Sequence, residues 1–289
     1  MLNALTIDVE DYFQVNAFEP YVARESWDSY PLRVADNVAR LLDLLDEFQV
    51  KATFFVLGWV AERLPEVVKS IQERGHEIAC HGYGHQLIYR IGPKLFRDDI
   101  RRAKQIIEGI TGVALNGYRA PTYSITGESL WAFDILVEEG FTYDSSVFPV
   151  YHDTYGIPDA PRFPYTVQRA GGSIEEFPLS TLPIRFAGRN LQLPIAGGGY
   201  LRLLPVQLIK WGIDRINRRE KKPAVLYLHP WEIDPDQPRI SAGWKSRFRH
   251  YNNLSKTEAK LRYLLKGVRY GTMGQVLGIP GGGKRPIHA

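Results

Sequence analysis

Short runs of apolar and β-branched residues recur along the chain, and segments with helical periodicity separate them. This alternation constrains the fold most, because successive βα units pack into a parallel sheet or a barrel. We count about seven such runs, and 289 residues are enough for one α/β barrel with a single core. The predicted strands cover residues 4–9, 52–56, 77–80, 115–118, 141–143, 173–177 and 224–228.

Two of the intervening segments each carry one apolar stripe, with spacings typical of an amphipathic helix. The first stripe is Val34, Val38, Leu41, Leu42 and Leu45, and the second is Ile100, Ala103, Ile107 and Ile110. The second helix should end near Gly112, because glycine readily adopts the left-handed conformation that ends many helices.

The domain organisation follows from where the alternation of strand-like and helical segments ends. We expect one catalytic barrel over residues 1–234. Proline, glycine and a mixed aromatic and basic stretch then mark an extension over residues 235–280 that packs on the barrel. The segment 281–289 is too rich in glycine and charge to bury much surface, so we predict that it is disordered.

Charge and hydropathy exclude several classes of protein. The net charge of +4 is not concentrated in a basic stripe, so we expect no nucleic-acid partner. Carboxylates stand near the N-terminus, where a signal peptide needs a basic start and an apolar run, and no apolar run is long enough to span a bilayer. We therefore expect a cytoplasmic protein and leave open whether it works at a membrane surface. Cys80 is the only cysteine, so the fold needs no disulfide.

Acidic side chains end the first predicted strand. Alternation along a strand places Thr6, Asp8 and Glu10 on one face, so the two carboxylates can share a site. Taken alone, an acidic strand end is often only a solvated loop or a helix cap.

Two histidines follow the third predicted strand, at His81 and His85, with two glycines between them. This spacing can place both imidazoles on one metal, although loop histidines also bond to backbone. Two histidines and one carboxylate with open positions match catalytic zinc sites. The acidic strand end and the histidine pair therefore predict a metal centre together.

Three later strand ends carry further polar groups. Arg119 can pair with a carboxylate and orient it, and Asp144 can act in a site or simply cap a turn. His229 ends the last predicted strand and is free to act as an acid near neutral pH.

These groups, in this order, resemble the motifs of the NodB-type polysaccharide deacetylases, carbohydrate esterase family four, over roughly residues 2–233. The His-x-x-x-His, Arg-x-Pro and Leu-His motifs are intact, and they include His81, His85, Arg119 and His229. The first motif reads TIDVED, where the family usually has Thr-Phe-Asp-Asp. The fourth motif, Asp-Trp, has no clear counterpart, and Asp144 is a substitute for it.

The resemblance implies a distorted (β/α)7 barrel and hydrolysis of linear amide bonds with one divalent metal, most often zinc. It assigns His81 and His85 as metal ligands and leaves Glu10 and Asp11 as alternatives for the third. Asp8 would be the general base.

The same resemblance gives Arg119, Tyr123 and His229 their roles. Arg119 would hold Asp8 ionised, a backbone N–H near Tyr123 would hold the oxyanion, and His229 would protonate the leaving amine. The implied substrate is an N-acetylated polysaccharide or a lipid-linked precursor.

The tracts GGGYLRLLP, HPWEID and FRHYNNL are similar to the branch of this family found in exopolysaccharide loci of bacteria with the exosortase system. Two alternatives stay open. One is a cyclic-amide hydrolase similar to allantoinase, and the other is a silent glycan-binding protein that uses aromatic residues such as Trp231, Trp244 and Tyr251.

Overall fold

The computed structural model describes residues 1–186 and 189–279, and the predicted disordered tail, 281–289, lies outside the described residues. The strands are β1 (Asn3–Val9), β2 (Thr53–Val56), β3 (Glu77–Cys80), β4 (Gly117–Tyr118), β5 (Tyr143–Asp144), β6 (Tyr165–Arg169), β7 (Gly172–Glu176), β8 (Thr181–Phe186), β9 (Arg189–Pro194), β10 (Val225–Leu228) and β11 (Tyr270–Gly271). The helices are α1 (Val34–Glu47), α2 (Gly58–Arg63), α3 (Pro65–Glu73), α4 (Ile88–Thr111), α5 (Ala132–Glu138), α6 (Gly199–Leu203), α7 (Val206–Arg215), α8 (Trp244–Tyr251), α9 (Leu254–Gly267) and α10 (Met273–Leu277).

The main sheet runs in the order β10, β1, β2, β3, β4, β5, β7 and β6. All neighbours from β10 to β7 are parallel, and only β6 returns antiparallel to β7. The seven parallel strands coincide with the seven predicted runs. Strand β6 and the β8–β9 hairpin were not predicted.

The barrel is distorted between β7 and β10, where single contacts of Ser180 and Gly197 take the place of a ladder. Ser180 accepts a hydrogen bond from the N–H of Val225 at 2.8 Å, and Gly197 pairs with Tyr227. Gly197 has a φ of 130°, and a Cβ on it would lie 1.9 Å from the carbonyl oxygen of Tyr227. Only glycine therefore fits this closing contact.

Both predicted helical stripes face the core. Val34, Val38, Leu41, Leu42 and Leu45 are all buried along α1, as are Ile100, Ala103 and Ile107 along α4. Helix α4 ends at Gly112 with a φ of 69°, as predicted.

The segment after residue 234 packs on the barrel. Strand β11 pairs with β1 through Asn3 and Ala4, and α9 packs on the turn at residues 230–233. In residues 1–186 and 189–279, no helix combines the length and apolarity needed to cross a bilayer.

Candidate active site and metal centre

The parallel strands deliver the polar motifs to one edge of the barrel. Asp8 lies near the end of β1, His81 follows β3, Arg119 follows β4 and His229 follows β10. Strand register places these ends side by side, since Ile7 pairs with Leu228 on one side of β1. The site is therefore built at the carboxyl ends of the strands, where α/β folds bind ligands.

Glu10, His81 and His85 form a buried trio whose ligand atoms all lie within 4.8 Å of one another. Nε2 of His85 lies 2.7 Å from Oε2 of Glu10, yet that oxygen makes no contact with hydrogen-bond geometry. These two atoms lie close together without forming a hydrogen bond, as two ligand atoms of one shared cation would. The donor set, two imidazoles and one carboxylate, is one that catalytic zinc uses.

The orientation of His81 is fixed from behind. Its Nδ1 lies 2.8 Å from the carbonyl oxygen of Arg119, which can only accept, so Nδ1 carries the proton and Nε2 keeps its lone pair. Burial lowers the pKa of His81 to about 4, so the ring is neutral at pH 7. A neutral imidazole is the form that binds a metal.

The loop that carries His85 is held by a residue that sequence analysis missed. Asp99 on α4 accepts hydrogen bonds from the N–H groups of Tyr83 and Gly84, at 2.7 and 3.0 Å. A Cβ on Gly82, which has a φ of 72°, would lie 2.7 Å from Oδ2 of Asp99. Glycine thus lets the loop close on Asp99.

Glu10 is buried, and burial alone would raise its pKa. The neighbouring His85 and His229 outweigh this effect and hold the pKa of Glu10 well below its usual range. The carboxylate is therefore ionised at pH 7.

Asp11, the alternative third ligand, is not brought to the histidines. One carboxylate oxygen accepts from the N–H groups of Arg33 and Val34, at 2.7 and 3.0 Å, and the other accepts from Tyr12. Asp11 therefore caps the start of α1. Burial raises its pKa to about 6.

Asp8 and Arg119 form a buried ion pair beside the trio. Nη1 of Arg119 lies 2.7 Å from Oδ1 of Asp8 and also donates to Thr6 Oγ1. Nε and Nη2 of the same guanidinium donate to Ser145. The hydroxyl of Tyr123 lies 3.4 Å from Oδ2 of Asp8.

The N–H of Tyr123 donates to the carbonyl of Ala120 at 3.0 Å, within a turn of 3₁₀ helix. The N–H of Tyr123 itself is therefore engaged in this turn, and the oxyanion role of a backbone N–H near Tyr123 stays a prediction. The neighbouring Thr122 lines the pocket in a left-handed conformation, with a φ of 54°.

His229 faces the trio from β10. Its Nε2 lies 3.5 Å from Oε1 of Glu10 and 3.9 Å from Oδ2 of Asp8. Burial opposes the charged ring, but Glu10, Glu232 and Asp8 outweigh it and raise the pKa of His229 to about 9. The ring is thus protonated at pH 7.

Glu232 and Arg202 support His229, and sequence analysis missed both. Oε2 of Glu232 lies 3.6 Å from Nδ1 of His229, and Oε1 forms a buried ion pair with Arg202 at 2.8 Å. The three-residue spacing from His229 could have indicated Glu232. Nothing in the sequence pointed to Arg202, which comes from α6.

Asp144, the suggested substitute for the fourth motif, points elsewhere. It accepts hydrogen bonds from the N–H and hydroxyl of Ser146, at 3.0 and 2.7 Å. Burial and the adjacent Asp144 raise the pKa of Glu176 well above its usual value. Asp144 is therefore engaged in this buried pair, and the carboxylate that lies beside Nδ1 of His229 is that of Glu232.

These groups line one pocket of about 180 Å³. Asp8, Glu10, His81, His85 and His229 all contribute to its wall. Such a pocket can hold a metal and a small acyl group between side chains that can act as a base and as an acid.

Two family models match adjoining parts of the chain. Residues 22–136 match the family described as polysaccharide deacetylase, and residues 145–278 match a domain of unknown function, DUF3473. His81, His85 and Arg119 come from the first range and His229 from the second. Asp8 and Glu10 precede both ranges, so the site combines residues of both matched parts with residues of the segment before them.

Similar curated proteins cover the N-terminal part. The peptidoglycan deacetylase of Helicobacter pylori is 34% identical over 114 residues, which are 38% of this chain and 37% of that protein. The peptidoglycan-N-acetylglucosamine deacetylase of Bacillus cereus is 36% identical over 94 residues, 32% of this chain and 34% of that protein. The chain thus spans about a third of the length of the curated relatives it matches.

Among solved structures, a candidate polysaccharide deacetylase from Mycobacterium smegmatis superposes with a TM-score of 0.62 at 26% identity. The match covers 96% of this chain and 88% of that one. The predicted fold, a distorted (β/α)7 barrel, is confirmed. Over residues 22–136 the chain carries a polysaccharide deacetylase domain, the domain of the NodB-type family that its motifs resemble.

Proposed function

We propose that this protein is a metal-dependent N-deacetylase that hydrolyses acetamido groups on an amino-sugar polysaccharide or on its lipid-linked precursor. One observation carries the proposal. The buried carboxylate of Glu10 and the imidazoles of His81 and His85 lie together, beside a separate base, Asp8, and a separate acid, His229. A site that only binds glycan has no need of such a pair. A cyclic-amide hydrolase is disfavoured by the intact pair His81 and His85.

Glu10, His81 and His85 would hold one divalent metal, and zinc fits the donor set best. When bound, such a metal polarises an acyl oxygen and lowers the pKa of water from 15.7 toward about 7. His81 is already neutral and oriented, and Glu10 is already ionised, so the trio needs little rearrangement.

Asp8 is the proposed general base. It lines the pocket next to Glu10, and Arg119 fixes its Oδ1 at 2.7 Å. Oδ2 then faces Tyr123 and the pocket, where it can accept a proton from the attacking water.

His229 is the proposed general acid. The leaving group is a sugar amine, which departs poorly unless it is protonated as the C–N bond breaks. Glu232 and Asp8, which are not proposed to bind the metal, favour the charged ring, so a proton is available on the face that lines the pocket.

Acetate release tests the proposal. The purified protein is incubated with chitin oligomers, peptidoglycan and an acetylated exopolysaccharide, before and after removal of metal with a chelator. We expect acetate from at least one polymer, loss of activity on chelation and recovery with zinc. Protein that holds one equivalent of zinc and releases no acetate from any of the three would contradict the proposal.

Matched variants separate the proposed base from the proposed ligand. Asp8→Asn should still bind zinc and lose on the order of 10² to 10⁴ in turnover, the range for positioned acid–base groups. Glu10→Gln should weaken zinc binding, with part of the activity recovered at high zinc. Asp11→Asn is the control and should leave zinc affinity unchanged. If Asp8→Asn abolished zinc binding while Glu10→Gln changed nothing, the roles would be reversed.

We further propose a role in exopolysaccharide biosynthesis in the cytoplasm, from the resemblance to the exosortase-associated branch. We also retain the division into a catalytic barrel, 1–234, and an extension, 235–280. The packing of β11 on β1 supports a close attachment of that extension. Loss of the gene should raise the acetyl content of the secreted polysaccharide, measured by NMR, and an unchanged acetyl content would refute this role.

A further inference from the structure

Two cavities lead outward from the catalytic pocket beside α8. The first, of about 370 Å³, shares Tyr155, Arg202 and Arg249 with the catalytic pocket. The second, of about 440 Å³, shares Phe248 and Asn252 with the first. We call this continuous surface the α8 groove. Because the α8 groove shares walls with the catalytic pocket, it adjoins the sugar unit that would enter that pocket.

Aromatic rings line the α8 groove. Tyr155, Tyr200 and Phe248 lie on the first cavity, and Trp244 and Tyr251 lie on the second. Trp244 is 74% exposed and Phe248 is 55% exposed, an unusual state for large apolar side chains unless they contact a ligand or a partner. Flat rings of this kind pack against the C–H faces of pyranose sugars.

The charge of the α8 groove is one-sided. Residues 237–257 include Arg239, Lys245, Arg247, Arg249 and Lys256, and they include no aspartate or glutamate. Neither outer cavity has an aspartate or glutamate on its described wall. An acidic ligand would therefore meet cations and no repulsion there.

The arginines of α8 differ from those in the N-terminal half of the chain, a difference that they share with Arg215, Arg218, Arg219, Arg239 and Arg269. Every arginine before residue 170 forms an ion pair with a carboxylate. Among the described residues, Arg247 and Arg249 have no carboxylate partner. Their guanidinium groups therefore remain available to an anion, for which arginine offers paired donors.

We propose that the α8 groove recognises a carboxylate-bearing sugar next to the unit that is deacetylated, and that Arg249 is a specificity-determining residue. The substrate class is thus an anionic glycan in which acetylated amino sugars alternate or mix with acidic sugars. This inference rests on the proposed deacetylase function. Arg249 carries the assignment because it lines both the catalytic pocket and the first cavity.

An anionic membrane surface is the rival occupant, because exposed aromatic and basic side chains on a helix also suit lipid headgroups. Two observations favour the glycan. The residues line cavities and not a convex face, and these cavities share walls with the catalytic pocket.

The test compares acetate release from two matched oligosaccharides. One alternates N-acetylglucosamine with glucuronic acid, and the other is the same oligomer with its carboxylates reduced to alcohols. We expect kcat/KM to favour the acidic oligomer by roughly 10-fold, mostly through KM, as a charge-assisted contact allows. The preference should shrink at high salt.

Arg249→Gln should reduce the ratio of the two kcat/KM values toward one. Arg218→Gln is the matched control, because Arg218 is also exposed and lines neither the catalytic pocket nor the two cavities of the groove. It should leave both activity and preference unchanged.

The outcomes are distinguishable. Equal rates on both oligomers, unaffected by Arg249→Gln, would overturn the inference and leave the deacetylase proposal standing. Failure on every substrate would overturn the proposed function. The affinities of the two oligomers, measured by calorimetry, would then test the groove by itself, and equal affinities would overturn the inference. Sedimentation with phosphatidylglycerol vesicles that depends on Arg249, together with no discrimination between oligomers, would assign the groove to a membrane surface instead.

Discussion

Replacement of Arg119 tests the electrostatic design of the site most directly. Arg119 is fully buried, and its guanidinium makes four hydrogen bonds, to Thr6, to Asp8 and twice to Ser145. Arg119→Met would leave the Asp8 carboxylate buried without its cation. Removal of one partner from a buried pair costs about 3 to 5 kcal/mol, so we expect a loss of that size in the free energy of unfolding.

Asp8→Asn should cost less, roughly 1 to 3 kcal/mol, because an asparagine oxygen and three other acceptors still satisfy the guanidinium. The double variant buries neither charge, so its loss should be smaller than the sum of the single losses by about 2 kcal/mol. Urea denaturation of the metal-free proteins measures all three values.

The more exposed pair of Arg162 and Glu220 is the control for this cycle. Its side chains are 16% and 25% exposed, and we expect a coupling energy of about 1 kcal/mol or less. Additivity within about 0.5 kcal/mol for Arg119→Met and Asp8→Asn would refute the view that the two buried charges stabilise each other.

Three further predictions follow from the same geometry. His85→Ala should lower zinc content and acetate release together while circular dichroism stays unchanged, and retained activity without zinc would refute the ligand assignment. Glu232→Gln removes a carboxylate that raises the pKa of His229, so the alkaline limb of the pH–rate profile should move to lower pH. An alkaline limb that does not move would refute the role of Glu232 in keeping His229 protonated. Burial lowers the pKa of His76 to about 4 in the folded protein, whereas the unfolded chain has the ordinary value of 6.5. Between pH 6.5 and 4 the unfolded chain therefore binds a proton that the folded protein does not. The free energy of unfolding should fall as the pH drops through that window. His76→Asn keeps an acceptor for the N–H of Ala52 and should flatten that dependence by up to about 1.4 kcal/mol per pH unit, as followed by urea denaturation.

The parallel strands and the main chemical groups could be predicted because their signals are local. A β-branched run followed by Asp8, by His81 or by His229 is visible within a few residues, and parallel strand ends meet by topology. Helix α1 was equally visible, because its apolar stripe repeats over the whole helix.

Two of the supporting residues, Arg202 and Asp99, could not be predicted, because their partners are distant in the chain. Arg202 lies 30 residues from Glu232, and Asp99 lies 15 residues from Gly84. Asp11 looks like a ligand in sequence, yet its carboxylate reaches N–H groups 22 and 23 residues away. Capping of a helix by a residue so far upstream has no local pattern.

The place of β1 in the sheet has a consequence for biosynthesis. This strand holds Asp8, but its neighbour β10 is made about 220 residues later, and β11 later still. During translation the nascent strand therefore has an open edge that can pair with other chains. Folding with such distant contacts is slow. Catalytic competence should thus emerge in a late, slow step, when β10 docks and brings His229 to Asp8.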